Sequence, residues 1–207
     1  MRKKVGDSDY DVALSFAGED RPYVQQVAAV LHQIGVKVFY DEYHRVNLWG
    51  KDLYSHLDDV YRKKSRYCVV FVSKAYKKKL WANHERQSAQ ARAFRSRKEY
   101  ILPAKFDVTE IPGLRPTQGF IDLRTVGPKE LAWMIVEKLG MRDEIDEMIS
   151  YLKHTLGDYE ITADGANLQF RCDSEKFYSE FPVRLMLEMY RAGELERMFL
   201  IPAVVPF

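Results

Sequence analysis

Short apolar runs alternate with amphipathic stretches over the first 140 residues, and this alternation constrains the fold more than any other feature. The amphipathic stretches carry apolar residues at helical spacing, as Val24, Val27, Leu31 and Ile34 do before Gly35, a residue type that commonly ends a helix. Three more helices are predicted from KDLYSHLDDVYRKK, LWANHERQSAQARAFRSRK and GPKELAWMIVEKL. The apolar runs, of strand length, read YDVALSF, VKVFYDE, YCVVFVS, YILPAKF and GFIDL.

The order of these segments predicts a parallel sheet. Strands that alternate with helices through short connections form parallel sheets with helices on both faces. The run Tyr67–Ser73 is the most continuously apolar, so we expect a central strand there and a buried free thiol at Cys68. Ligands of such sheets bind at the carboxyl ends of the strands. We therefore expect a site among the connecting segments AGEDR, DEYHRVNLWG and SKAYKKKLW.

The character of the sequence changes after Gly140. MRDEIDEMISYLKHTL predicts a helix, and YEITADGANLQFRC predicts a hairpin that turns at ADGA. The next stretch, SEKFYSEFPVRLMLEMYRAGELERM, is interpreted as mostly helical, with Pro182 near a helix start or a break. We therefore predict two domains, residues 8–140 and a small α+β domain of residues 141–207. The second domain could regulate assembly, bind a ligand or dock a partner chain.

Composition and motifs narrow the class of protein. A chain with 46% hydrophobic and 30% charged residues has the composition of a globular protein, and a net charge of +2 gives no support for binding to nucleic acid or to an anionic membrane. Signal-peptide and membrane-span patterns are absent, so we expect a cytoplasmic protein. The sequence contains no zinc-ligand spacing, no GxGxxG and no P-loop, so neither a metal nor a cofactor is expected.

Four stretches, taken together and in order, resemble the Toll/interleukin-1 receptor (TIR) domain, in its bacterial, NAD+-cleaving branch. They are YDVALSFAGED, VFYDEYHRVNLWGKDLYSHL, YCVVFVSKAYKKKLWANHE and YILPAKFD. The resemblance implies a flavodoxin-like fold with a five-stranded parallel sheet. It also implies cleavage of NAD+, as substrate, at the nicotinamide–ribose bond, giving ADP-ribose or a cyclic isomer, and a role in anti-phage defence signalling through a downstream effector or activator. Self-association through the segment after the second strand, the BB loop, is implied too.

Glu85 matches the catalytic glutamate of that family. It lies one helical turn after Trp81, which places both on one helix face. Breaking an N-glycosidic bond builds positive charge on the ribose, and a nearby carboxylate stabilises that charge. Spacing alone would favour a glutamate that only complements the helix dipole. The resemblance favours catalysis.

The other candidate residues carry alternatives. Phe16, with Ala17 and Gly18, corresponds to the nicotinamide-side loop, where its ring could stack on the ligand or pack in the core. Asp41 could orient the loop or a ribose, or serve as a cap. Trp81 could line the pocket or the core. The resemblance gives Ser73 and Tyr76 a supporting role.

Three further features have both a functional and a structural interpretation. Trp49 in the BB loop could cover the ligand or contact another protein. Arg21 and Lys51 could meet the pyrophosphate, although solvation at the surface is the more usual role. The basic runs around residues 62–64, 77–79 and 92–98 could attract an anionic dinucleotide or form a solvated face.

Two function classes therefore remain open, an assembly-dependent enzyme and a scaffold that acts by TIR–TIR association. A third class, nucleic-acid binding, is disfavoured by the near-neutral charge and the lack of a recognition motif. The sequence does not identify the product.

Overall fold

The computed structural model contains two compact units. It describes residues 8–44, 46, 49, 60, 64–81, 100–114, 117–157, 159–164, 166–172, 177–195 and 197. One unit comprises residues 1–32 and 36–132, and the other comprises residues 33–35 and 133–207. The division falls inside the helix that precedes Gly140, and the boundary near residue 141 stays a prediction.

The first unit is built on a five-stranded parallel sheet in the order β2-β1-β3-β4-β5, which confirms the predicted fold class. Its middle strand is β3, as the continuous apolar run predicted, and Cys68 within it is buried and free. The strands are β1 (Tyr10–Ser15), β2 (Val38–Phe39), β3 (Ser65–Val72), β4 (Ile101–Lys105) and β5 (Ile121–Asp122).

Helices cover both faces of this sheet. Tyr23 of the first helix contacts the rings of Phe71 and Phe106, with centroids 6.3 and 5.1 Å apart. Tyr76 of the second helix packs in a buried cluster with Val70. Neighbouring side chains of a strand point to opposite faces, so these two helices lie on opposite sides of β3. The helices are α1 (Arg21–Ile34), α2 (Lys74–Trp81) and α3 (Pro128–Leu139).

Helix α2 begins earlier than the sequence predicted. It starts at Lys74, directly after β3, and not at Leu80. The cause is the Ser73 hydroxyl, which accepts a hydrogen bond from the backbone N–H of Tyr76 at 3.0 Å and so caps the helix. The helix predicted over residues 51–64 lies outside the described residues except at positions 60 and 64, as does the part of the third predicted helix beyond residue 81.

In its described residues the second unit contains the end of α3, a three-stranded antiparallel sheet and two further helices. The predicted hairpin is confirmed, because Asp164 at the end of β6 pairs with Asn167 at the start of β7. Buried side chains of α4, β7 and α5, such as Met148, Phe170 and Met186, form its core. The elements are α4 (Arg142–Thr155), β6 (Glu160–Asp164), β7 (Asn167–Cys172), β8 (Phe177–Pro182) and α5 (Val183–Ala192).

The interpretation of residues 174–198 as mostly helical was wrong at its start. Phe177–Pro182 form β8, which pairs with β7 in antiparallel register. Alternation explains this, since Phe181 packs against Phe170 while Tyr178 is 60% exposed. Pro182 does lie at a helix start, as predicted, directly before α5.

Candidate active site

The segments that follow β1, β2, β3 and β4 lie at one edge of the sheet, because all of these strands run parallel. Hydrogen bonds join these segments to one another, some between two side chains and one between a side chain and the backbone. The arrangement is built from three contacts: Arg21 with Asp41, Asp20 with Ser73, and Asp107 with the backbone of Lys74. The sheet edge therefore carries a connected polar network.

The first contact is a two-pronged ion pair. The terminal nitrogens of Arg21 donate to the two carboxylate oxygens of Asp41 at 2.9 and 2.8 Å, and one of them also donates to the Tyr40 hydroxyl at 3.2 Å. The Arg21 guanidinium lies 5.1 Å from the centroid of the Phe16 ring and 5.7 Å from that of Tyr40. The hydrogen bond with Asp41 raises the pKa of Arg21, so this group stays charged.

The aromatic side chains beside this pair are buried. Phe16 is 6% exposed, and its ring stacks on Tyr40 with centroids 5.7 Å apart. Ala17 is fully buried, and Gly18 begins a single 3-10 turn that leads into α1. A Cβ added at Gly18 would meet no atom of the described residues within 4 Å.

Asp20 links the segment after β1 to the segment after β3. Its carboxylate accepts a hydrogen bond from the Ser73 hydroxyl at 2.7 Å. Burial raises the pKa of Asp20, and hydrogen bonds from Ser73 and Ala17 oppose that rise only in part. Pro22 is the second residue of α1, which begins directly after Asp20.

Tyr76 lies in the core. It is 3% exposed, and its hydroxyl is hydrogen-bonded to that of Ser15 at 2.7 Å. Burial raises the pKa of the Tyr76 phenol well above its usual range. The contacts of Tyr76 suit a residue that supports the start of α2.

Asp107, which follows β4, completes the network. It accepts hydrogen bonds from the backbone N–H groups of Lys74 and Thr109, at 3.2 and 2.8 Å. Burial raises the pKa of Asp107, but a hydrogen bond from the Thr109 side chain, the two backbone hydrogen bonds and the charge of Lys74 together outweigh it and leave the pKa lowered. Asp20, Tyr40 and Asp107 had not been singled out for the site. Of the three, Asp107 follows directly on a predicted strand and could have been noticed on that ground.

The BB loop and the predicted catalytic helix are described only in part. Trp49 is 88% exposed and Val46 is 83% exposed. Trp81 is the last residue of α2, and its side chain lies outside the described part of the chain. Glu85 and Lys51 also lie outside the described residues. Their predicted roles stay predictions.

A cleft of about 480 Å³ lies along the carboxyl ends of β4 and β5. Its walls include Lys77, Asp107 and Arg124, and the Lys105 ammonium lies 4.3 Å from the centroid of the Phe120 ring.

The described residues contain no cluster of three metal-ligating side chains, and none of their helices is long and apolar enough to cross a membrane.

The fold and this sheet edge define a doubly wound α/β domain with a polar site at the carboxyl ends of its strands. Residues 12–134 match the sequence model of the TIR domain, and the chain belongs to that family. The resemblance noted from the sequence is thereby confirmed.

Three curated relatives carry enzyme names. The chain is 60% identical over 131 residues to a 3′ cyclic ADP-D-ribose synthase of Aquimarina amphilecti, an alignment that covers 63% of this chain and 40% of that protein. It is 34% identical over 105 residues to a 2′ cyclic ADP-D-ribose synthase of Acinetobacter baumannii, covering 50% of this chain and 38% of the relative. It is 33% identical over 102 residues to an NAD(+) hydrolase of a Theionarchaea archaeon, covering 49% and 30%. The chain thus spans less than half the length of each of these relatives.

Proposed function

We propose that this protein cleaves NAD+ at the bond between nicotinamide and ribose and closes the remaining ADP-ribose into a cyclic product. The observation that carries the proposal is the 60% identity to a 3′ cyclic ADP-D-ribose synthase over 131 residues. The two more distant relatives are named for a 2′ cyclic isomer and for hydrolysis of NAD+. Among these three names, the relative with the highest identity favours the 3′ cyclic isomer as the product.

The chemistry requires little proton transfer at the start. The ring nitrogen of the nicotinamide in NAD+ is cationic, so the departing group leaves as a neutral molecule without a general acid. Positive charge then develops on the ribose, as in glycoside hydrolysis. Glu85 is the proposed carboxylate that stabilises this charge.

The second step decides the product. If a hydroxyl of the adenosine ribose bonds to the carbon that nicotinamide has left and loses its proton, the product is the cyclic isomer. If a water molecule attacks the same carbon instead, the product is ADP-ribose. Cyclisation therefore needs a site that holds both riboses close together and limits access of water. We propose that the segment of Phe16, Ala17 and Gly18 forms the nicotinamide side of the pocket and that Asp41 helps to hold the ribose. Trp81 is proposed to line the pocket, and Ser73 and Tyr76 to support the site from within the fold.

The BB loop supports an assembly-dependent form of this activity. Trp49 and Val46 are both more than four-fifths exposed, and exposed apolar side chains of this kind favour a protein contact. We propose self-association through this loop, with turnover that rises with protein concentration. The same exposure supports the alternative, a scaffold that acts only by TIR–TIR association. We also propose a cytoplasmic role in anti-phage signalling, in which the product acts on a downstream effector.

The experiment is incubation of NAD+ with concentrated protein, followed by chromatographic separation of nicotinamide, ADP-ribose and the 2′ and 3′ cyclic isomers. Glu85→Gln is the test variant, and Glu137→Gln on the exposed side of α3 is the matched control. We expect nicotinamide and the 3′ isomer from the wild type and the control, and neither from Glu85→Gln. Equal turnover by Glu85→Gln would refute the catalytic role of that residue. Absence of turnover by the wild type at every concentration would favour the scaffold.

A further inference from the structure

We propose that Arg21 is a positioning residue of the active site. It holds the segments after β1 and β2 in the relative position that the reaction requires. The inference rests on the proposed function. Arg21 is the first residue of α1, and its side chain spans from the β1–α1 segment to the end of β2. Its hydrogen bonds tie the two segments together, beside the stacking of Phe16 on Tyr40.

The contacts of Arg21 use the particular shape of a guanidinium. Two parallel N–H···O bonds reach the Asp41 carboxylate, and a third reaches the Tyr40 hydroxyl. The plane of the guanidinium also lies near the Phe16 and Tyr40 rings, which themselves stack on each other. Lysine can supply the charge at this position but not the bidentate geometry or the stacking.

These contacts argue against a pyrophosphate-binding role, one of the two roles considered for Arg21 beside solvation at the surface. Both terminal nitrogens already donate to Asp41. A diphosphate could take the two-pronged position only by displacing the carboxylate, and at any other N–H of the guanidinium it would be repelled by the negative charge of the neighbouring Asp41. The side chain is also only 32% exposed, since it lies between the two loops.

The partners of Arg21 explain why its position affects catalysis. Phe16 belongs to the loop proposed for the nicotinamide side, and Asp41 is proposed to hold the ribose. A displacement of about 1 Å in a positioning group can lower a rate by roughly 100-fold. Loss of the ion pair frees both segments at once, so we expect kcat to fall more than KM rises.

The test compares Arg21→Lys, Asp41→Asn and the double variant by steady-state release of nicotinamide. We expect Arg21→Lys to lower kcat by about 10-fold or more while KM changes by less than about 3-fold. In the Asp41→Asn background the same change should cost less than about 2-fold, because Arg21 acts through Asp41. The matched control is Arg191→Lys, which alters a bidentate pair with Glu144 in the second unit, at 2.7 and 2.6 Å. We expect it to keep both constants.

Other outcomes overturn the inference in distinguishable ways. If KM rises with kcat unchanged, and does so equally in the Asp41→Asn background, Arg21 binds the substrate directly. If an active wild type and Arg21→Lys have the same constants, the positioning role is wrong while the proposed function stands. If the wild type releases no nicotinamide at any concentration, the proposed function is refuted and the positioning role is refuted with it.

Discussion

Removal of the Tyr76 hydroxyl tests whether this residue supports the site from within the core. The hydroxyls of Tyr76 and Ser15 are 2.7 Å apart, and the two residues are 3% and 6% exposed. Tyr76→Phe leaves the Ser15 hydroxyl buried without this partner. An unsatisfied buried polar group costs about 1–3 kcal/mol. We expect the free energy of unfolding to fall by about that amount, and the melting temperature to fall by about 2–4 °C for each kcal/mol.

A double variant tests whether the hydroxyls of Tyr76 and Ser15 act as a pair. Ser15→Ala removes the other half of the pair and is expected to cost a similar amount, because it strands the Tyr76 hydroxyl. With both changes neither hydroxyl of the pair remains, so the cost should be less than the sum of the two single costs. A coupling of about 0.5–3 kcal/mol is typical of groups in direct contact.

Urea unfolding followed by circular dichroism measures these free energies, and nicotinamide release measures activity. Tyr178→Phe is the matched control, since Tyr178 is 60% exposed and should lose its hydroxyl without a change in stability. We expect the rate of release per folded Tyr76→Phe molecule to equal that of the wild type. Additive costs, or unchanged stability with a lost rate, would contradict a structural role and would instead place the hydroxyl at the substrate.

Three further predictions follow from the described contacts. Ser73→Ala removes the cap of α2 and the hydrogen bond to Asp20, and we expect thermal unfolding to show a loss of about 1 kcal/mol. Because the pKa of Asp20 is raised, this carboxyl holds its proton more tightly in the folded protein than in the unfolded chain. Its contribution to stability therefore falls as the pH rises from about 4 through the raised value. Asp20→Asn should flatten that part of a stability–pH curve, and a curve identical to that of the wild type would contradict this. Cys68 and Cys172, both 2% exposed, should react with a thiol reagent only after denaturant is added; rapid reaction in the native protein would refute their burial.

The parallel sheet was predictable because its strands are buried on both faces. Such strands are nearly continuous apolar runs, and the helices between them carry a clear helical period. The run from Tyr67 to Ser73 even predicted which strand is central, since a middle strand has no edge exposed to water. Because burial produces these apolar patterns, the sequence was enough to predict most of the fold of the first unit.

Strand β8 was missed because its pattern is ambiguous. Phe177 and Phe181 stand four apart, which fits one face of a helix, yet they also lie on one face of a strand. A run of six residues is too short for periodicity to decide between the two. Pro182 held a usable signal, because the residue before a proline is biased toward extended conformations.

The polar network at the sheet edge depends on contacts that no local pattern encodes. Arg21 and Asp41 are separated by 20 positions, and Asp20 and Ser73 by 53. Each residue alone has the sequence character of an ordinary surface residue or a cap. The pairs form because parallel strands deliver their following segments to the same edge, so the fold had to be known before the partners could be assigned. This is also why a substitution at Arg21 should be judged by its effect on Asp41, and not by the charge it removes.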